Sequence, residues 1–164
     1  MPRASASAGA TGRRRIGDAG PPPSRVVQRR RTTHPFGTLC LLPVGLPAEV
    51  CLESARLVNR ILADTMILDA LYTKSHWSVA GPTFYELHLL FDAHAGEQLE
   101  LIDALAERVR SLGAVTVGDP RHAAELARIE RPPDGAEDPG DIIAAVREAI
   151  DHTERSRDWG RTTC

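Results

Sequence analysis

Residues 76–107 read HWSVAGPTFYELHLLFDAHAGEQLELIDALAE, a stretch that combines a helical pattern with several side chains of metal-binding types. From Phe84 to Leu112 the chain contains no proline and a single glycine, and apolar side chains recur at helical spacing. We therefore expect one long helix from Phe84 to Leu112.

Five side chains in this stretch are of the kinds that bind metal ions: His76, His88, Asp92, Asp103 and Glu107. At 100° per residue, the last four lie at about 0°, 40°, 60° and 100° around the helix axis, so they share one stripe. Along the axis, however, Asp92 and Asp103 are about 16 Å apart, which is too far for a single metal site. One copy of the helix therefore cannot complete a site.

A second copy that runs antiparallel across a two-fold axis would bring the histidine end of one helix against the carboxylate end of the other. The axis would pass near Glu97, beside the small residues Ala95 and Gly96. Small residues let two helices approach closely, although glycine costs roughly 1 kcal/mol of helix propensity relative to alanine. The spacing thus predicts a two-fold homodimer with two equivalent sites.

Two imidazoles and three carboxylates, without a thiolate, form a ligand set that suits Fe(II), Mn(II) or Zn(II). Bridging carboxylates can hold two such ions ~3.5–4 Å apart. Zinc could occupy the site but has no redox chemistry. Iron is the ion for which this arrangement has a chemical use.

The wider pattern around these residues closely resembles the Dps mini-ferritins, DNA-protecting ferritin-like proteins of bacteria. The resemblance implies an all-α, ferritin-like fold of the four-helix-bundle type, and it extends over roughly residues 46–160. It rests on His76-Trp77, Gly81-Pro82-Thr83-Phe84, His88, Phe91-Asp92, Asp103, Ala106-Glu107-Arg108 and Leu112-Gly113.

In the Dps family two subunits share a ferroxidase site. The resemblance implies that His76, His88 and Asp92 come from one chain, whereas Asp103 and Glu107 come from its partner. It also implies that the protein oxidises Fe(II) with hydrogen peroxide or, less efficiently, dioxygen. The ferric iron would then be stored inside a twelve-subunit shell, in a cytoplasmic, nucleoid-associated protein.

Trp77 follows the first histidine, as in the family, where this tryptophan is proposed to quench stray oxidising equivalents. The resemblance therefore places Trp77 beside the reacting centre. Taken alone, the residue would most simply be part of the hydrophobic core.

Composition agrees with a helical protein without membrane segments. Hydrophobic residues make up 42% of the chain, aromatic residues 4% and charged residues 26%. No apolar run approaches the ~20 residues that cross a bilayer. Cys40, Cys51 and Cys164 are odd in number and form no CxxC pair, so we expect free thiols in a reducing cytoplasm.

Residues 1–45 are predicted to form a disordered arm rich in arginine and proline. Residues 1–39 carry eight Arg and one acidic residue, net +7, and the overall charge of −2 leaves −9 for the remainder. Such an arm could bind DNA phosphates. Alternatively, it is a leader read from too early a start codon, and it superficially resembles a transit peptide. The candidate DNA-binding residues are Arg13, Arg14, Arg15, Arg29, Arg30 and Arg31.

Three further helices are predicted outside the long one, over residues 47–76, 121–129 and 141–158. Asp141 would cap the last of them. Four other histidines match no site and are expected on the solvated surface: His34, His94, His122 and His152. The apolar residues expected to face inward from the last helix are Ile142, Ile143, Val146 and Ile150.

Residues 46–160 thus form the ferritin-like domain with three long helices, and residues 161–164 form a short tail. The family's fourth helix is missing from this pattern. We expect the dimer to form without it, whereas the dodecamer is doubtful. Two other interpretations stay open: a non-enzymatic nucleoid protein that binds DNA, and an inactive truncated product.

Overall fold

A computed structural model describes residues 31–135 and 138–163 of the chain, with side chains up to residue 155. The chain divides into residues 1–31 and 32–164, and all the described helices lie in the second unit. Within the described residues the protein is all-helical, which confirms the predicted fold class, and no helix there is long and apolar enough to span a bilayer. The helices are α1 (Ala48–Ser78), α2 (Phe84–Ser111), α3 (Pro120–Leu126) and α4 (Pro139–Thr163).

The helix boundaries differ from the predicted ones by a few residues. α1 extends two residues beyond His76, and α4 begins at Pro139 rather than Asp141. Asp138 precedes that proline, and its Oδ1 accepts a hydrogen bond from the amide of Gly140 at 2.9 Å. The expectation that Asp141 caps α4 was therefore wrong, because a proline suits the first position of a helix and moves the cap one residue before it. At its far end α4 includes residues 161–163 of the predicted tail.

α1 is the central element, since it packs against α2, α3 and α4. Its C-terminal half, with Leu68 and Tyr72, forms the main core with Phe91 of α2 and with Ile142 and Val146 of α4. Toward its N-terminus, Ala55 packs against Val109 of α2, and Leu62 packs against α3. α1 is thus covered on several sides within one chain.

The inward face of α4 was predicted with one error. Ile142 and Val146 are buried and Ile150 is half-buried, but Ile143 is 41% exposed. Ile143 lies about 100° around the helix from Ile142, so it turns away from α1. Ala149 and Thr153 complete the buried face instead.

Two polar residues of α1 hold the segments between the other helices. Asn59 donates from Nδ2 to the carbonyl of Val115 at 3.0 Å and accepts the amide of Val117 at 2.8 Å. Asp64 is fully buried and accepts the amide of Arg128 at 2.8 Å. Hydrogen bonds of this kind satisfy loop amides that would otherwise be buried at a cost of about 1–3 kcal/mol each.

The four remaining histidines were expected on the solvated surface, and this was wrong, because all of them are half-buried. His152 Nε2 lies 3.8 Å from the Asp64 carboxylate, and His94 Nδ1 lies 3.2 Å from the Tyr72 hydroxyl. His122 packs edge-on against Phe36, and the His34 ring contacts the carbonyl of Thr38.

Candidate metal centre

The N-terminal end of α2 is joined to the C-terminal end of α1 by two histidines. The chain leaves α1 at Ser78, turns through Gly81, whose φ of +103° favours glycine, and enters α2 at Phe84. This short turn brings His76, in the last turn of α1, beside His88, in the second turn of α2. Their rings stack with centroids 3.7 Å apart and planes at 23°.

Each histidine is fixed by the backbone of the other. Nδ1 of His76 lies 3.1 Å from the carbonyl oxygen of His88, and Nδ1 of His88 lies 3.1 Å from the carbonyl oxygen of His76. A carbonyl can only accept, so each Nδ1 carries the proton that it donates. In the neutral imidazole, Nε2 then keeps its lone pair and can bind a metal ion.

The local fold explains why the His76 carbonyl is a suitable partner. The last four carbonyls of a helix lack an amide partner within the helix, and that of His76 is one of them. The His88 carbonyl lies in the second turn of α2. The Phe84 ring also contacts the His88 ring, with centroids 5.1 Å apart. The pair is therefore held by one helix end and by an aromatic contact.

The three predicted carboxylate ligands, Asp92, Asp103 and Glu107, are all exposed on α2. Among the residues that the structure describes, no three His, Cys, Asp or Glu side chains form a group that could hold a metal ion. The chain thus brings His76 and His88 together, but it adds neither Asp92 nor the two more distant carboxylates to them.

Trp77 is 78% exposed, so it is not the core residue that its type alone would favour. It follows His76 directly at the end of α1. Its indole ring is therefore accessible at the surface of the single chain.

One contact near the histidine pair was not predicted. Tyr72, one turn before His76, is buried, and its hydroxyl lies within hydrogen-bond distance of Nδ1 of His94 in α2. Burial raises the pKa of the Tyr72 phenol, and the negative charge of Glu97 raises it further. From the sequence, only the spacing of one helical turn between Tyr72 and His76 could have indicated that Tyr72 lies near the histidine pair.

Comparisons with known proteins agree with this architecture. A family model for the ferritin-like domain matches residues 55–158. DpsC from Streptomyces coelicolor has 47% sequence identity and a TM-score of 0.74, and the match covers 80% of this chain and 81% of that one. The chain belongs to the Dps family of ferritin-like proteins.

Two relatives extend the match by sequence. A Kitasatospora aureofaciens protein, described as lying in the bpoA2 5' region, is 55% identical over 114 residues, covering 70% of this chain and 76% of that protein. A Halobacterium salinarum "DNA protection during starvation protein" is 33% identical over 124 residues, covering 69% and 65% respectively. The predicted resemblance to the Dps family is thereby confirmed.

Proposed function

We propose that this Dps-family chain is a ferroxidase, which oxidises Fe(II) with hydrogen peroxide at sites shared between two copies. The observation that carries the proposal is the reciprocal hydrogen bonding of His76 and His88. It fixes two neighbouring imidazoles in the tautomer that presents Nε2 to a metal ion.

The exposed carboxylates supply the oxygen ligands in this proposal. Asp92, Asp103 and Glu107 lie on the same side of α2 as His88, within about 100° of one another. In an antiparallel pair of α2 helices, Asp103 and Glu107 of one copy would approach His88 of the other. The combined set of two nitrogen and three carboxylate ligands suits Fe(II) and would offset the charge gained on oxidation.

The reaction balances with two iron ions and one peroxide. Two Fe(II) ions each give up one electron, hydrogen peroxide takes both electrons with two protons, and the products are two Fe(III) ions and two water molecules. The histidines and carboxylates act as ligands of the iron substrate rather than as acids or bases. Trp77, exposed next to His76, would donate an electron when peroxide is reduced by one electron only.

Replacing two ligands with amides of the same size tests the proposal. The double variant Asp103→Asn, Glu107→Gln removes two negative charges while it preserves side-chain volume. We expect peroxide-driven Fe(II) oxidation, followed by stopped-flow absorbance, to slow by about a hundredfold or more, because metal ligation supplies several kcal/mol of charge stabilisation. Glu125→Gln, an exposed change on α3, is the matched control and should oxidise iron at the original rate. Equal rates in all three folded proteins would refute the ligand assignment.

We propose DNA binding as a second function, because the Halobacterium relative is named for DNA protection and residues 1–39 carry a net charge of +7. In this proposal the arginine arm binds phosphates. Among its candidate residues, Arg13, Arg14, Arg15, Arg29 and Arg30 lie outside the described residues, whereas Arg31 lies within them. Deletion of residues 1–31 should abolish salt-sensitive retardation of DNA in gels and leave iron oxidation unchanged. Retardation that survives the deletion would exclude the arm.

A further inference from the structure

Two groups of exposed apolar residues lie at opposite ends of the pair formed by α1 and α2. We call the group before and at the start of α1 the lead-in patch; it consists of Leu41, Leu42, Val44, Leu46 and Val50. We call the group around the junction of the two helices the turn patch; it consists of Trp77, Phe84, Tyr85 and Leu89. The most exposed members are Leu41 at 79% and Trp77 at 78%.

The lead-in patch is held in place by the C-terminal end of α2. The amide of Cys40 donates to the carbonyl of Gly113 at 2.8 Å, and Leu39 forms an isolated bridge with Ala114. Gly113 has a φ of +84°, and a Cβ built on it would lie 2.1 Å from the carbonyl oxygen of Cys40. This close approach requires glycine, so the backbone that leads into the patch is fixed against the helical domain.

Within one chain the two patches cannot meet, because the 28 residues of α2 span about 42 Å. A two-fold axis between Glu97 and Gln98, midway between the proposed ligand pairs, changes this. It brings Ser111, the last residue of α2 in one copy, level with Phe84, the first residue of α2 in the other, since both lie equally far from the axis in sequence. The lead-in patch of each copy, which is held at Gly113 just beyond Ser111, therefore comes to the end of the helix pair that carries the turn patch of the other.

Gly96 itself agrees with such an axis. It is exposed, and a Cβ built on it would meet no atom within 4 Å in this chain. The centre of the α2 stripe is therefore open, with apolar Leu89 and Leu99 exposed on either side of it. The two patches continue this surface at its ends, as an isologous interface requires.

We propose that the lead-in patch of one copy packs on the turn patch of a second copy and so covers the histidine end of the shared site from water. The inference rests on the proposed ferroxidase, because it uses the same antiparallel pairing of α2. It adds a partner-supplied apolar wall, built from residues 41–50, beside His76 and His88. The occupant of each patch is thus a second copy of this chain.

Cross-linking between two differently labelled chains tests the contact. In a Cys40→Ser, Cys164→Ser background, one chain carries Leu41→Cys and the other carries Tyr85→Cys. We expect a short bifunctional maleimide to join the two into a mixed dimer. The control replaces Tyr85→Cys with Leu101→Cys, an exposed position about 160° away around α2, and should give no mixed dimer.

A second measurement keeps the proposal testable if a cysteine variant folds poorly. Leu41→Ser, Leu46→Ser should raise the dimer dissociation constant roughly a hundredfold in sedimentation experiments, because each buried leucine favours association about tenfold or more. Ile143→Ser, which removes a half-exposed apolar residue of α4, is the control and should leave the constant unchanged.

The outcomes separate this inference from the proposed function. A dimer that oxidises iron with Asp103 and Glu107 intact, but gives no Leu41–Tyr85 cross-link and tolerates the serine changes, would overturn the inference alone. Cross-linked dimers whose iron oxidation ignores the loss of Asp103 and Glu107 would overturn the proposed function and leave the interface standing. Absence of any dimer would overturn the inference.

Discussion

The two ends of α2 are held in different ways. At the N-terminal end, two side chains, His76 and His88, lock the helix to α1 through hydrogen bonds of 3.1 Å in both directions. At the C-terminal end, the contact is made by the backbone, where the amide of Cys40 donates to the carbonyl of Gly113 at 2.8 Å. We call this contact the backbone lock. Asp103 and Glu107, the proposed ligands on the C-terminal half of the helix, take no part in that lock and stay exposed.

This difference suggests that the two ends of α2 have different roles in the proposed site. The end that would bind metal through nitrogen is arranged by the chain itself. The C-terminal end, where Asp103 and Glu107 would bind metal through oxygen, is fixed through its backbone. These two side chains would complete a site only with a second copy of the chain. Ligand variants at the two ends should therefore differ in their effect on stability, while both slow iron oxidation.

The largest effect on stability is expected at the backbone lock. Gly113→Ala should destabilise the protein by about 2–4 kcal/mol, because alanine disfavours positive φ and its Cβ would collide with the Cys40 carbonyl. Gly118→Ala, at a glycine without positive φ and without atoms near a built Cβ, is the control and should change stability little. Urea denaturation followed by circular dichroism measures both. A Gly113→Ala protein as stable as the Gly118→Ala protein would show that the lock contributes nothing.

A smaller effect is expected at the histidine end. His88→Ala should destabilise the isolated chain by about 1–2 kcal/mol, because it removes a ring stack and the hydrogen bond from its imidazole to the His76 carbonyl. Asp103→Ala should change stability by no more than about 0.5 kcal/mol, since its side chain is exposed. Yet both changes should slow iron oxidation. If Asp103→Ala destabilised the chain more than His88→Ala did, the contrast between the two ends would be wrong.

Much of the fold could be predicted because it follows from local patterns. The apolar period predicted the long helix over 84–112 against an observed Phe84–Ser111. The start of α4 was missed although the information was local, since Asp138 precedes a proline that suits the first helical position. Ile143 was predicted to face inward because it is apolar, but its position about 100° around the helix from Ile142 turns it outward.

Other features depend on residues far apart in sequence. Asp64 meets Arg128 and Asn59 meets Val115 only after α1 has packed against the following segments. In the sequence, both are polar residues inside a helix, with no nearby partner to reveal their role. His152 was assigned to solvent for the same reason, because its neighbour Asp64 lies on another helix.

The candidate site shows both situations. The stripe on α2 and the need for a second copy followed from helical geometry, and they remain predictions about the assembled protein. The mutual hydrogen bonds of His76 and His88 did not follow, because they use backbone carbonyls, which carry no sequence signal. The tautomer that leaves Nε2 available therefore became visible only in the structure.

The central claim, that one site is built from two chains, is tested most directly by complementation. Chains with His76→Ala and His88→Ala lack the nitrogen ligands, and chains with Asp103→Ala and Glu107→Ala lack two oxygen ligands. Each should be inactive alone. When they are unfolded together and refolded as a mixture, mixed dimers should contain one complete site and recover about half of the activity of an intact dimer per mixed dimer. Mixed dimers verified by mass that still fail to oxidise Fe(II) with peroxide would contradict a site shared between two chains.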